Sequence, residues 1–162
     1  MEDQVTDIRT QAYLTFMLDQ EIFCVSVNAV VKILEVPNIT RVPESPAFMK
    51  GIINLRGNIL PVVDTRLKLG LEEADHSPKT RILVLDINSA NKILSIGAIV
   101  DLAKEVISVN TEEIQPPPSL EDYERAPYIE GVINHEEKFI LILNINKLFA
   151  KNEIEELDNL KN

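Results

Sequence analysis

The sequence predicts an all-β fold, and three observations carry that expectation. Short runs rich in Val and Ile recur along all 162 residues, separated by turn residues. Within several of them apolar and polar residues alternate with the period of a strand. The chain also repeats itself once, block by block. A sandwich or barrel built from two copies of a five-strand unit is therefore expected.

Taken in order, "YLTFML" sets Leu14, Phe16 and Leu18 against Thr15 and Met17, and "IFCVSV" sets Phe23, Val25 and Val27 on one face. Next comes "VNAVVKILE", where Val27, Val30, Val31 and Leu34 fall at i, i+3, i+4 and i+7, the spacing of a two-turn helix. "GIINLR", "ILPVVD", "RILVLD", "ILSIGAIV", "EVISV", "YIEGVI" and "FILILNI" continue the strands. Leu148, Ile154, Leu157 and Leu160 predict a short, charged helix at the C-terminal end, with a frayed tail.

The repeat organises these elements. "LTFMLDQEIFCVSVNAV" matches "ILVLDINSANKILSIGAIV", each a strand, a polar turn and a second strand. A proline cluster follows in both halves, "ITRVPESP" and "IQPPPS". Then "FMKGIINLRGNILPVVD" matches "YIEGVINHEEKFILILN", aligning Gly51 with Gly131 and Asn54 with Asn134. Each copy is too small to bury much alone, so the two are expected to share a core within one domain, residues 1–162. The first copy spans approximately 12–70, the second 80–149, and the helical tail 150–162.

Composition narrows the function. A net charge of −10 argues against nucleic-acid and anionic-membrane partners, which need clustered cations. Cys24 is the only cysteine, so no internal disulfide forms and a reducing compartment is expected. The start, "MEDQVTDIRT", lacks the basic and apolar regions of a signal peptide. The longest apolar run, "FILIL", is far too short to span a membrane. A soluble, cytoplasmic protein is expected. No glycine pattern of a nucleotide site occurs, and His76 and His135 are isolated, without ligand spacing. Cys24 sits in an apolar strand with no cation beside it in sequence, which favours inert core filling. No enzyme, metal or cofactor is expected.

One hairpin carries an anomaly. In "GIINLRGNILPVVD" the guanidinium of Arg56 interrupts two apolar strands. A two-residue turn at Gly57-Asn58 would set Arg56 opposite Ile59 and Leu55 opposite Leu60. Ile53, Leu55, Leu60 and Val62 then share an apolar core face. Ile52, Asn54, Arg56, Ile59, Pro61 and Val63 share the other, whose mixture suits an interface centre. Pro61 lacks a ladder donor and points to an edge or a bulge. Arg56 has an alternative role, an intramolecular pair with Asp64 or an acid of the other half.

The run "ITRVPESPAFMKGIINLRGNILPVVDTRLKLGL" resembles the CheW-type chemotaxis coupling proteins in its Thr-Arg-Val-Pro, Gly, Asn-Leu-Arg-Gly and Pro-x-x-Asp-x-Arg elements. "IGAIVDLAKEVISVNTEEIQPPP" and "YIEGVINHEEKFILILNINKLF" extend the similarity from about Tyr13 to Phe149. The resemblance implies two five-stranded SH3-like barrels, one for each copy of the repeat. It implies a non-enzymatic adaptor, joining chemoreceptor cytoplasmic tips to the regulatory domain of a histidine kinase. It places Arg56 at the assembly surface, with Val30, Gly51, Gly97 and Gly131 at or supporting the contacts. The glycines have a structural alternative, a backbone that only Gly tolerates. The same scaffold in another pathway, such as surface motility, and a metabolite-binding or enzymatic barrel are the competing readings.

One feature departs from the family. Its members commonly carry Glu then Arg, three apart, before Thr-Arg-Val-Pro, whereas Lys32 and Glu35 stand here with both signs reversed. On a helix such a pair attracts in either order. At a docking rim the reversal would select partners of matching reversed charge.

Overall fold

Both strand-rich halves form ten strands, which the computed structural model describes within residues 9–117 and 126–160. Residues 1–8 of the acidic start, Pro118 and Ser119 of the second proline cluster and the last two residues of the tail lie outside those described. The first repeat contributes β1 (Thr10–Leu18), β2 (Glu21–Ser26), β3 (Val30–Glu35), β4 (Met49–Leu55) and β5 (Asn58–Asp64). The second contributes β6 (Arg81–Ser89), β7 (Lys92–Val100), β8 (Leu102–Asn110), β9 (Ile129–His135) and β10 (Lys138–Leu143). Helix α1 (Thr65–Lys68) follows β5, and α2 (Lys151–Asn159) closes the chain.

The strands form two five-stranded sheets, β8-β1-β2-β10-β9 and β3-β6-β7-β5-β4. One barrel per repeat is thus corrected: each sheet takes a hairpin from one repeat and three strands from the other. The link between β2 and β3 explains the exchange. It is only Val27–Ala29. To take the place beside β1 that β8 fills, β3 would have to run parallel to β2 and start back at its beginning. A six-residue strand is roughly 20 Å long, and three residues reach at most about 10 Å. The chain therefore passes into the other sheet.

The registers agree strand for strand. Gly51 pairs with Val62, which pairs with Gly97. Gly131 pairs with Ile142, which pairs with Cys24. Each sheet curls round its own core, Tyr13, Cys24, Ile107 and Ile140 in one, Ile53, Leu60, Val62 and Ile82 in the other. A third core lies between the hairpins β1–β2 and β6–β7, where Leu14, Phe16, Leu18, Phe23 and Val25 meet Leu83, Leu85, Ile87 and Ile96. These strands are apolar on both faces because both faces are buried.

The helix expected in "VNAVVKILE" is corrected to a single 3-10 turn followed by strand β3. Val30, Lys32 and Leu34 alternate half-buried with the exposed Val31, Ile33 and Glu35. Val and Ile side chains lose little on a pleated surface and crowd a helix, so their strand preference prevails over a coincidental helical spacing. The C-terminal helix forms as expected, with Leu157 buried in the shared core. Lys68 Nζ donates to both carboxylate oxygens of Glu153, at 2.8 and 2.9 Å. The same ammonium lies over the rings of Phe48 and Phe149, which fixes the start of α2.

Candidate functional site

The β4–β5 hairpin turns one residue earlier than expected. Leu55 pairs with Asn58, so the two loop residues are Arg56 and Gly57, with φ of 53° and 85°. Two successive positive φ values match the right-handed twist of the flanking strands. Asn54 fixes this turn, its Oδ1 accepting the Gly57 N–H at 2.7 Å. Asn54, not Arg56, therefore stands opposite Ile59. The side chain that could have signalled this register is Asn54, three residues before the glycine.

The sorting of faces survives the shift. Ile53, Leu60 and Val62 are buried in the barrel core, with Leu55 packed beside them. The other face divides along its length. Val63 and Pro61 are buried, and Ile52 packs against the shared core. Only Asn54, Arg56 and Ile59, at the tip, are exposed. Pro61 lies in an interior strand rather than at an edge. Its partner Ile52 spends its own N–H and carbonyl on Thr40, at 2.8 and 2.9 Å, and β5 pairs with β7 only from Val62 onward. The missing donor therefore costs no ladder bond.

A shallow groove of about 240 Å³ opens beside this tip, lined by Val31, Leu55, Asn58, Ile59, Val84 and Ser95. Val31 joins Ile59 there, and Ile33 is exposed on β3. In the sequence Val31 falls in the helical stripe and Ser95 carries no role, so neither is expected at this surface. A bulge between Val30 and Lys32 separates their directions, leaving Val30 against the shared core and Lys32 half-buried. Lys32 and Glu35, three apart on a strand, point to opposite faces of the sheet.

Among the described residues Arg56 makes no ion pair. Asp64 is committed elsewhere: it caps α1 by accepting the Leu67 N–H, and Lys50 Nζ lies 3.9 Å from it. The glycines have structural work. A Cβ on Gly51, whose φ is 149°, would come within 2.1 Å of the Thr40 carbonyl oxygen, and one on Gly131 within 2.6 Å of Ile114. A Cβ on Gly97 would crowd Ile82 inside the barrel.

The β9–β10 hairpin of the other sheet repeats this end with other chemistry. Glu136 has the same φ of 53° as Arg56, and Glu137 follows where Gly57 does. Asn134 pairs with the exposed Phe139 as Asn54 pairs with Ile59. Val106 pairs with Leu14 as Ile33 pairs with Leu83. Shape is conserved between the ends, and the turn charge is inverted.

Burial, and then the charge of Glu130, push the Cys24 thiol up to about 12, so it stays protonated. His76 is exposed in a loop. Among the described residues no three of His, Cys, Asp and Glu gather as metal ligands. No helix among them is long and apolar enough to cross a membrane.

Comparison with known proteins gives this geometry its setting. The family model described as a CheW-like domain matches residues 12–153. The chain is 30% identical to a chemotaxis protein CheW of Treponema pallidum, covering 91% of this chain and 86% of that protein. It is 32% identical to that of Bacillus subtilis, covering 90% and 91%, and 29% identical to protein FrzA of Myxococcus xanthus, covering 80% and 85%. The crystal structure of scaffolding protein TtCheW from Thermoanaerobacter tengcongensis superimposes with a TM-score of 0.77 at 32% identity, over 88% of this chain and 94% of that one. The family match over residues 12–153, the identities and the superposition agree that this chain belongs to the CheW-like domain family.

Proposed function

We propose that this protein is a non-enzymatic scaffold of the cytoplasm, joining the tip of a chemoreceptor to the regulatory domain of a histidine kinase. The observation that carries the reading is the barrel end where Arg56, exposed and without an internal ion pair among the described residues, sits on the turn leading into a groove lined by the exposed apolar Val31 and Ile59. Arg with apolar neighbours is the composition of an interface anchor. Asn54, Arg56 and Ile59 make this contact, and Ile52, Gly51 and Gly57 hold the hairpin that presents them. Val30, with Gly97 and Gly131, supports the contacts from within the fold.

Lys32 and Glu35 act separately, since they face opposite ways on β3. Each contributes a rim charge toward a partner of opposite sign. A chain carrying Lys32→Glu and Glu35→Lys should gain affinity for partners of the commoner charge pattern by the sum of the two single changes. A strongly non-additive result would restore a single coupled charge pair.

Signal passes through such a scaffold by differential affinity for the kinase-on and kinase-off arrangements, because a ligand that binds both equally shifts nothing. The test is reconstitution of receptor fragment, kinase and scaffold, with Arg56→Glu as the variant. Receptor control of autophosphorylation should be lost with the fold intact.

A further inference from the structure

The two junctions between the barrels are related by the repeat, yet different side chains close them. At the first, Arg66 lies against Asp101, with Nη2 to Oδ2 at 2.6 Å and Nε to Oδ1 at 2.9 Å. Asp19 donates its backbone N–H to the same carboxylate, and Asp64 caps the helix that carries Arg66.

At the second junction Asn144 holds the place of Asp64. Their backbone N–H groups donate to Tyr128 and Phe48, each at 2.7 Å. Asn146 follows Asn144 as Arg66 follows Asp64. Asn28 lies four residues beyond Cys24, as Asp101 lies four beyond Gly97, and those two residues have equivalent partners. Asn88 lies five residues beyond Leu83 within β6, as Asp19 lies five beyond Leu14 just past β1, and those two leucines have equivalent partners. Four positions that are ionic at one junction are all asparagine at the other.

Arg66 fills the first junction. The second is a cleft of about 370 Å³ lined by the four asparagines, with Asp86, Glu130 and the exposed Ile93. None of its lining residues is basic. Asp86 accepts only the Ser95 hydroxyl, at 2.7 Å, and Glu130 the Asn144 amide, at 3.1 Å, and neither forms an ion pair among the described residues. The fold thus holds a guanidinium at one junction. Its counterpart offers two carboxylates without an ion pair among the described residues, and amide oxygens of which Asn146 Oδ1 accepts the Asn88 N–H at 2.8 Å and Asn144 Oδ1 the Asn146 N–H at 3.0 Å, each with a lone pair to spare.

We propose that this second cleft binds an arginine side chain of a partner protein, whose guanidinium takes the position that Arg66 holds at the first junction. Asp86 and Glu130 supply the negative charge, and the asparagine amides supply further acceptors for a planar fork of donors. An arginine is favoured over a lysine because several acceptors converge from different elements. The chain's net charge of −10 draws a basic segment toward it. This deepens the scaffold reading, and rests on it for the existence of a partner, by naming what one partner must present. Its own test needs no partner, so the two readings fail separately.

The test is a titration of the full chain with N-acetyl-arginine-N-methylamide, followed by the backbone amide resonances of Asn28, Asn88 and Asn146. Saturable shifts confined to the cleft are expected, on the order of tenfold weaker with the neutral citrulline analogue. The near-isosteric Asp86→Asn and Glu130→Gln changes, single and combined, should weaken binding in the same sense. Asn28→Asp with Asn146→Arg transplants the first junction into the second and should abolish binding by filling the cleft from within. Absence of saturable shifts, equal binding of citrulline, or binding unchanged in the charge-neutralised chain would overturn the proposal.

Discussion

Arg66 holds Asp101 through both its Nε and Nη2, and the same carboxylate accepts the backbone N–H of Asp19 at 2.6 Å. The three residues come from α1, from the β7–β8 link and from the β1–β2 turn, so one guanidinium ties the two barrels together. Burial by itself would raise the Asp101 carboxyl, but the Arg66 hydrogen bond, the Asp19 amide and the Arg66 charge outweigh it and hold it below its ordinary value.

Replacing Asp101 by Asn should therefore cost about 2 kcal/mol, the scale of a charged hydrogen bond in a partly buried site. The pH dependence has a definite sign. A carboxyl depressed on folding contributes fully above its unfolded value, about 3.9, and the contribution is lost as pH falls through the lower folded value. Urea unfolding of the native chain and Asp101→Asn should differ at pH 7, and the gap should close as the pH is lowered beneath the ordinary carboxyl value of about 3.9. An equal gap at both pH values would remove the ion pair as its cause.

Gly51 and Gly57 both have positive φ, but only Gly51 lies against another chain segment. Gly57→Ala should cost about 1 kcal/mol, the price of a left-handed residue with open space around it. Gly51→Ala drives a methyl into the Thr40 carbonyl and should prevent cooperative folding or cost several-fold more. Thermal unfolding of the two variants compares them directly, and equal losses would contradict the close approach.

Cys24 should be inert while the chain is folded. It is fully buried and its thiol is pushed up to about 12, so thiolate is scarce at pH 8. A disulfide reagent should modify it only in denaturant, or at the rate of global opening. Rapid modification in native buffer would contradict its place in the barrel core.

Much of this fold is legible in the residues, and the misses have physical causes. Alternation placed Leu14, Phe16 and Leu18 on one face because strands buried on both sides still segregate residues between two cores. The matched blocks located the repeat, and the inverted turn charge of Arg56 and Glu136 follows from it. The exchange of strands was not legible, since it depends on the reach of a three-residue link rather than on local pattern. Val30 and Val31 fit a helical stripe and a strand equally in spacing, and only pairing with β6 decides. Arg56 was misplaced by one position because "RGN" offers two turns, and the Asn54 hydrogen bond to Gly57 selects the earlier.

On the proposed function, Arg56 serves the assembly surface and does no work in the fold. Its side chain is exposed on a turn and pairs with no acid among the described residues, so Arg56→Glu should change stability by no more than about 0.5 kcal/mol. The most direct measurement is receptor-controlled kinase autophosphorylation, reconstituted with native scaffold and with Arg56→Glu at equal concentration, after unfolding curves have shown equal stability. Loss of receptor control with the fold unchanged is expected. Full receptor control by the folded Arg56→Glu protein would contradict it.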